Sequence, residues 1–290
     1  MSDHEQLRLP DFIGIGPQRT GTTWLHNALE GVAVLPRGTK ETHFFSDRYH
    51  KGISWYADHF RHGAAGVPIG EFDPNFFRME TIDRIHTHLP NCRLICTMRD
   101  PVDRAYSYYK NLRRFGYTRA NFEDWLPEIP GGNRYASYLR LWQERFGKEQ
   151  VMVTFYDDLV TDPQGYFDKV CDFIGVRRVA LAPKSLDPDA RNRIERAPRN
   201  ARLAWLVSRF RDTLQEYGAY SITRLLDRRG FWKLCLESGN RYQPLSPAVD
   251  ARVREKFRPE VEALEAMLGR DLEAWKRPRC VLDLRASASA

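Results

Sequence analysis

Short, nearly continuous apolar runs alternate along the chain with segments of helical period. Asp11–Gly16 (DFIGIG) predicts a buried strand ending in glycine, and Thr22–Glu30 carries Trp24, Leu25, Ala28 and Leu29 on one side of a helix. Asn91–Met98 (NCRLICTM) and Gln150–Tyr156 (QVMVTFY) read as two more buried strands. Each runs into a helix, Pro101–Arg113 after the first and Gln164–Ile174 after the second, with a further helix at Tyr135–Arg145. Apolar strands alternating with helices predict an α/β fold of three layers, a central parallel sheet covered by helices on both faces. The C-terminal part is helical in pattern. Ala201–Leu214 is amphipathic, and Ser246–Leu268 aligns Val249, Val253, Phe257, Val261, Leu264 and Leu268, with Pro259 expected to bend it or split it in two.

Loops are expected at Arg61–Pro68, Gly116–Ala120, Pro127–Asn133 and Ala182–Asn200, and none has the composition of an interdomain linker. Residues 1–290 therefore read as a single domain with a core over about 11–276, and Ala286–Ala290 is expected to fray. No internal repeat interrupts this reading.

Composition narrows the class. A hydrophobic fraction of 42% and a charged fraction of 29% are those of a soluble globular protein. No window approaches the ~20 apolar residues of a membrane helix, and Met1–Arg8 lacks the apolar stretch of a secretory signal. Both absences favour a cytoplasmic protein. The five cysteines (Cys92, Cys96, Cys171, Cys235, Cys280) are odd in number and scattered, which suits buried reduced thiols and completes no metal site. A net charge of +7 suits an anionic ligand, but the basic residues are spread and no nucleic-acid-binding signature appears.

The chemistry concentrates in Phe12–Trp24 (FIGIGPQRTGTTW). A strand, a glycine-containing turn and a helix start make a run of backbone N–H groups at a positive helix end, which is a phosphate cradle. Gly16 and Gly21 have the spacing of the nucleotide P-loop, so the fold is expected to be P-loop-like. Where that motif places Lys, this chain has Thr22 followed by Thr23, and the cation sits earlier, at Arg19. A nucleoside triphosphatase needs the Lys and a metal-binding carboxylate, and the second strand runs into Met98-Arg99-Asp100 without an evident one.

Gln18–Trp24 resembles the 5′-phosphosulfate loop of sulfotransferases that use 3′-phosphoadenosine-5′-phosphosulfate (PAPS), commonly [KR]-x-G-T-[TS]. The resemblance implies that Arg19, Thr20, Gly21, Thr22, Thr23 and Trp24 hold the donor as co-substrate, with no metal. Arg99–Ser107 (RDPVDRAYS) is similar to the family's 3′-phosphate motif, which assigns Arg99 and Ser107 to that phosphate. Lys40–Phe45 (KETHFF) is similar to K-E-x-x-F-F of the carbohydrate, heparan-type branch, where the Glu is the catalytic base. That implies Glu41 as base and Lys40 at the sulfuryl or phosphate oxygens, with His43 as the alternative base. Gly70–Phe76 (GEFDPNF) resembles G-E-K-[ST]-P-x-Y, with Phe72 in place of the Lys and Asp73 in place of the hydroxyl residue. It reads as substrate cleft or as aromatic packing.

Tyr138–Trp142, Gln150–Pro163 and Arg241–Pro247 follow the family's later pattern, and Arg241 is a further 3′-phosphate candidate. The resemblance spans Phe12 to Trp275. It implies sulfuryl transfer to a hydroxyl or amine of a carbohydrate or other small acceptor. A P-loop kinase and a non-catalytic anion binder are the alternatives. Lys184, Arg191, Arg193, Arg196, Arg199 and Arg202 crowd one loop and helix start, as an anionic acceptor or a solvated charged loop would each explain.

Overall fold

Four short parallel strands and the helices between them organise the computed structural model, which describes residues 7–126, 134–187, 194–216, 222–223, 225–226 and 230–278. In chain order they are β1 (Phe12–Gly14), α1 (Thr22–Leu29), α2 (Ile53–Asp58), β2 (Gly70–Phe72), α3 (Met79–His88), β3 (Arg93–Met98), α4 (Pro101–Arg114) and α5 (Phe122–Trp125). Then come α6 (Tyr135–Phe146), β4 (Val151–Phe155), α7 (Tyr156–Thr161), α8 (Pro163–Ile174), α9 (Ala201–Glu216), α10 (Phe231–Leu236), α11 (Pro247–Leu268) and α12 (Glu273–Lys276). The expected loop Pro127–Asn133, Arg191, Arg193 and the tail Ala286–Ala290 lie outside the described residues.

The chain groups into two compact units, Met1–Arg99 with Ser137–Arg191, and Asp100–Ala136 with Asn192–Ala290. The first holds the whole sheet, in the order β2-β1-β3-β4 with every pair parallel. The expected α/β architecture with a parallel sheet and flanking helices is therefore the observed one. On one face Phe12, Phe72 and Ile95 pack with Trp24, Leu25 and Leu29 of α1, Leu159 of α7, and Phe167, Val170 and Ile174 of α8. Each such fully buried side chain contributes roughly 1.5–3 kcal/mol. Residues of opposite phase along the strands, Ile13, Leu94 and Cys96, are fully buried as well, as a sheet covered on both sides requires.

Two features differ from the sequence expectation. Strand β2 adds an edge to the sheet where a cleft segment or aromatic packing was anticipated, because three residues are too few to show a period. Pro259 does not split the long helix, which runs unbroken from Pro247 to Leu268. Pro259 lies on its exposed face, where loss of one backbone hydrogen bond to a carbonyl is least costly.

In the second unit α4 starts at Asp100, whose carboxylate accepts from the Val102 and Asp103 N–H groups. Its other oxygen pairs at 2.8 Å with buried Arg254 of α11, which also pairs with Asp250 at 2.8 Å. Tyr109, Phe122, Trp125, Val253 and Phe257 form the apolar core of this part.

Candidate active site

The site grows from the carboxyl ends of three adjacent strands. In β2-β1-β3 the chain passes from β1 to one neighbour and later returns on the other side, a reversal that opens a crevice at the strand ends. The loop after β1 is closely seated there. The Ile15 N–H bonds the Ile95 carbonyl at 2.9 Å, and the Thr20 and Thr97 hydroxyls meet at 2.6 Å. A Cβ on Gly16 would fall 2.2–2.5 Å from the Thr97 hydroxyl and backbone, so only glycine fits.

Gly21 adopts φ 97° at the start of α1, a conformation that favours glycine. No side chain caps this helix and no acid lies in its first turn. By contrast α4, α8 and α11 each begin at a capping Asp or Ser. An uncapped helix start behind a glycine turn is suited to an anion. Thr20, Thr22 and Trp24 are buried here, whereas Arg19 and Thr23 keep partial access to solvent. The Trp24 indole N–H donates to the Ser185 carbonyl at 2.8 Å.

Arg99, one residue beyond β3, lies against this loop. Its guanidinium covers the Tyr156 ring at 4.3 Å and donates to the Arg19 carbonyl at 3.4 Å. The neighbouring Asp100 carboxylate pairs with Arg254.

The segment Lys40–Phe45 is held by its aromatic end. Phe44 stacks on Tyr56 at 4.7 Å, Phe45 meets Phe76 edge-on at 5.4 Å, and all four rings are fully buried. Aromatic pairs contribute about 0.5–1.5 kcal/mol beyond their burial, so the polar residues beside them sit on a fixed base. Lys40 Nζ is 2.5 Å from Glu41 Oε1, and His43 Nε2 is 3.9 Å from Glu41 Oε2. His43 Nδ1 is 2.9 Å from Asp73, which also accepts the His43 backbone N–H at 2.9 Å. Burial alone would lower the His43 pKa, but the hydrogen bond to Asp73 and the charges of Asp73 and Glu41 raise it above the ordinary value.

Beneath this cluster lies Glu71, fully buried, which accepts hydrogen bonds from the Tyr56 hydroxyl at 2.7 Å and the Thr42 hydroxyl at 3.0 Å. Burial, with Asp73 nearby, pushes its carboxyl up to about 8, against those hydrogen bonds. His26 of α1 is buried too, and burial with the nearby Lys40 charge holds it down at about 4.

The loop after β1 and this segment are joined. Gln18 Nε2 donates to Asn75 Oδ1 at 3.0 Å, and Asn75 Nδ2 lies 3.0 Å from His43 Nδ1. Among the described residues Arg19 (φ 73°) and His43 (φ 55°) are the non-glycine residues with positive φ. Backbone held in that region costs ~1–3 kcal/mol and gathers at functional sites. Both residues were singled out from the sequence.

The first unit thus contains Arg19 to Trp24, Lys40, Glu41, His43 and Arg99. Ser107 and Arg241 belong to the second, where Ser107 is buried on α4 and exposed Arg241 pairs with Glu195 at 3.3 Å. Gln18, Asp73 and Asn75 were not anticipated as members of the cluster. The signal for Asp73 and Asn75 was the GEFDPNF segment, whose departure at Asp73 proves to be the contact with His43, and Gln18 opens the Gln18–Trp24 motif itself. Glu41, His43 and Asp73 also offer three ligand atoms within 4.8 Å of one another, a spacing compatible with a metal ion.

A profile described as "Sulfotransferase domain" matches residues 9–206, more than half of the chain. The chain belongs to the sulfotransferase domain family. Bifunctional heparan sulfate N-deacetylase/N-sulfotransferase 4 of Mus musculus is 32% identical over 197 residues, covering 58% of this chain and 22% of its own length. Heparan sulfate glucosamine 3-O-sulfotransferase 3A1 of Mus musculus is 30% identical over 190 residues, covering 61% and 48%. This sulfotransferase domain therefore spans about a fifth of the first relative and about half of the second. A sulfotransferase from Alicyclobacillus acidocaldarius shares the fold, with a TM-score of 0.67 at 20% identity over 93% of this chain and 100% of that one.

Proposed function

We propose that the chain transfers a sulfuryl group from PAPS to a hydroxyl or amine of a saccharide acceptor, with Glu41 as general base. The observation that carries the reading is the hydrogen-bond chain from Gln18 to the Asn75 side chain and from the Asn75 backbone N–H through the Asp73 carboxylate to His43, which couples the anion loop to the segment bearing Glu41. The loop suits a phosphosulfate. It has an uncapped helix start, the cation Arg19, and no acid from Phe12 to Trp24. Thr22 in the Lys position argues against triphosphate chemistry. Arg99 against the loop supplies a second cation, for the 3′-phosphate.

In the reaction the acceptor oxygen or nitrogen attacks sulfur in line. Its bond to sulfur forms as the bond from sulfur to the 5′-phosphate oxygen breaks, and the acceptor proton passes to Glu41. Arg19 and the α1 N-terminus offset charge on the departing bisphosphate, and Lys40 that on the sulfuryl oxygens. The names of the heparan sulfate relatives support a saccharide as acceptor.

The contact of Asp73 with His43 favours a second reading, in which His43 takes the proton. The two readings share donor, acceptor and products.

The test is incubation with PAPS and heparan-type oligosaccharides, read by mass spectrometry as the gain of one sulfuryl group. In parallel, 3′-phosphoadenosine-5′-phosphate without metal should raise the melting temperature by several degrees, as a ligand at a hundredfold excess over Kd adds about 2.7 kcal/mol. Strong stabilisation by ATP with Mg²⁺ and none by the bisphosphate would overturn the proposal.

A further inference from the structure

Helix α9 in the second unit turns its small residues inward and its large apolar ones outward. Ala204 and Ser208 are fully buried, while Leu203, Trp205, Leu206 and Phe210 are exposed. The inward choice follows from close approach, since a Cβ on Gly116 would fall 2.3 Å from the Ala201 carbonyl. Trp232 and Leu236 of α10 pack with Ala204 in a small apolar cluster. The same short helix α10 leaves Phe231 and Leu234 exposed, Leu234 at 74%.

The concentration is not that of an ordinary surface. Of the thirteen large hydrophobic side chains exposed among the described residues, eight lie between positions 203 and 234. Apolar groups gathered in this way mark interaction sites. Leu203, Leu206 and Phe210 follow the i, i+3, i+7 spacing of one helix face, with Leu206 at 57% and Phe210 at 54% exposure. Arg202 and Arg209, also seven apart, run along the edge of that face and are exposed.

Charge decides the occupant. Helices α9 and α10 together carry four Lys or Arg against two Asp or Glu. An apolar helical face edged by arginine, with an exposed tryptophan beside it, has the chemistry of a helix lying in the interfacial region of a bilayer. A second copy of this chain fits less well, because an antiparallel two-fold contact of α9 would set the arginine edges against one another, and any two-fold contact would bring two faces of the same net charge together. No helix among the described residues is long and apolar enough to cross a membrane. We propose that α9 and α10 form a docking surface for a bilayer bearing anionic lipid headgroups.

Co-sedimentation of the full chain with vesicles tests this, comparing phosphatidylcholine alone with a mixture containing phosphatidylglycerol. The protein should pellet with the mixture, scarcely with phosphatidylcholine, and less as salt rises. Arg202→Gln with Arg209→Gln should weaken partitioning about thirtyfold, at roughly fivefold for each basic residue near an anionic surface. Leu206→Ser with Phe210→Ser should also release the protein while keeping its melting temperature. Size-exclusion chromatography with light scattering completes the test. The proposal is overturned if the chain ignores both vesicles. It is equally overturned if the chain is a dimer that the Leu206→Ser and Phe210→Ser pair converts to monomer.

Discussion

His43 Nδ1 lies 2.9 Å from the fully buried carboxylate of Asp73, thirty residues further along the chain. The carboxylate closes three contacts at once, accepting from the His43 ring, the His43 backbone N–H and the Asn75 backbone N–H. It therefore fixes both the left-handed backbone of His43 and the direction of its ring, leaving Nε2 toward Glu41. Asp73 acts as a positioning residue.

Asp73→Asn should lower the His43 pKa, because the chief influences raising it are the hydrogen bond and charge of Asp73. The pH dependence of kcat/KM then separates the two candidate bases. An acid limb that moves to lower pH in the variant assigns the proton to His43, and a limb that stays in place assigns it to Glu41. Stability carries its own sign. A raised histidine pKa stabilises the fold below the unfolded value of 6.5, and that gain is lost as pH rises through the folded pKa. Asp73→Asn should accordingly cost more stability in mild acid than in mild base, as read by urea unfolding.

Glu41→Gln keeps the shape of the cluster and removes the carboxylate. Loss of a general base costs ~10²–10⁴ in rate, so turnover should collapse while 3′-phosphoadenosine-5′-phosphate binding stays within a few-fold. Near-normal turnover would move the role to His43, 3.9 Å away.

Glu71 makes a separate prediction for stability. Its folded pKa of about 8 stands above the ordinary 4.5, so between those values the folded chain holds a proton that the unfolded chain has released. Stability contributed by this group is full below the lower value and falls as pH rises toward the upper one. Glu71→Gln does not titrate, and its stability relative to the parent should improve steadily from about pH 5 to about pH 9. Equal urea midpoint shifts at both ends would show that Glu71 ionises normally in the fold.

The strands β1, β3 and β4 and the helices after them were legible because each apolar run is bounded by a turn signal and followed by a clear helical period. Arg19 and His43 were singled out through resemblance, and their backbone conformations could not have been read from residue type. The contact between His43 and Asp73 was hidden for a different reason. It joins a loop to the end of a three-residue strand, and strand β2 pairs with β1 across more than fifty residues of intervening chain. Local pattern does not carry such pairings. Of the two outcomes expected at Pro259, a bend or a split, the unbroken helix excludes the split.

The last prediction concerns Arg99. Its guanidinium is stacked on Tyr156 and bonded to the Arg19 carbonyl, which sets a planar, permanently charged fork beside the anion loop. A charge-assisted contact to a 3′-phosphate contributes roughly 1.5–3 kcal/mol. Arg99→Ala should therefore weaken 3′-phosphoadenosine-5′-phosphate by tenfold or more in calorimetric titration, and leave adenosine 5′-phosphosulfate nearly unchanged. Arg99→Lys keeps the charge but loses the fork, and should recover only part of the affinity. Tyr156→Leu removes the surface under the guanidinium, worth ~0.5–1 kcal/mol at an accessible site, and should weaken the bisphosphate a few-fold with the same selectivity. The alternative is that Arg99 only braces the Arg19 loop. In that case both ligands would weaken equally in Arg99→Ala, because the loop serves the 5′ end that they share, and the 3′-phosphate role would be withdrawn.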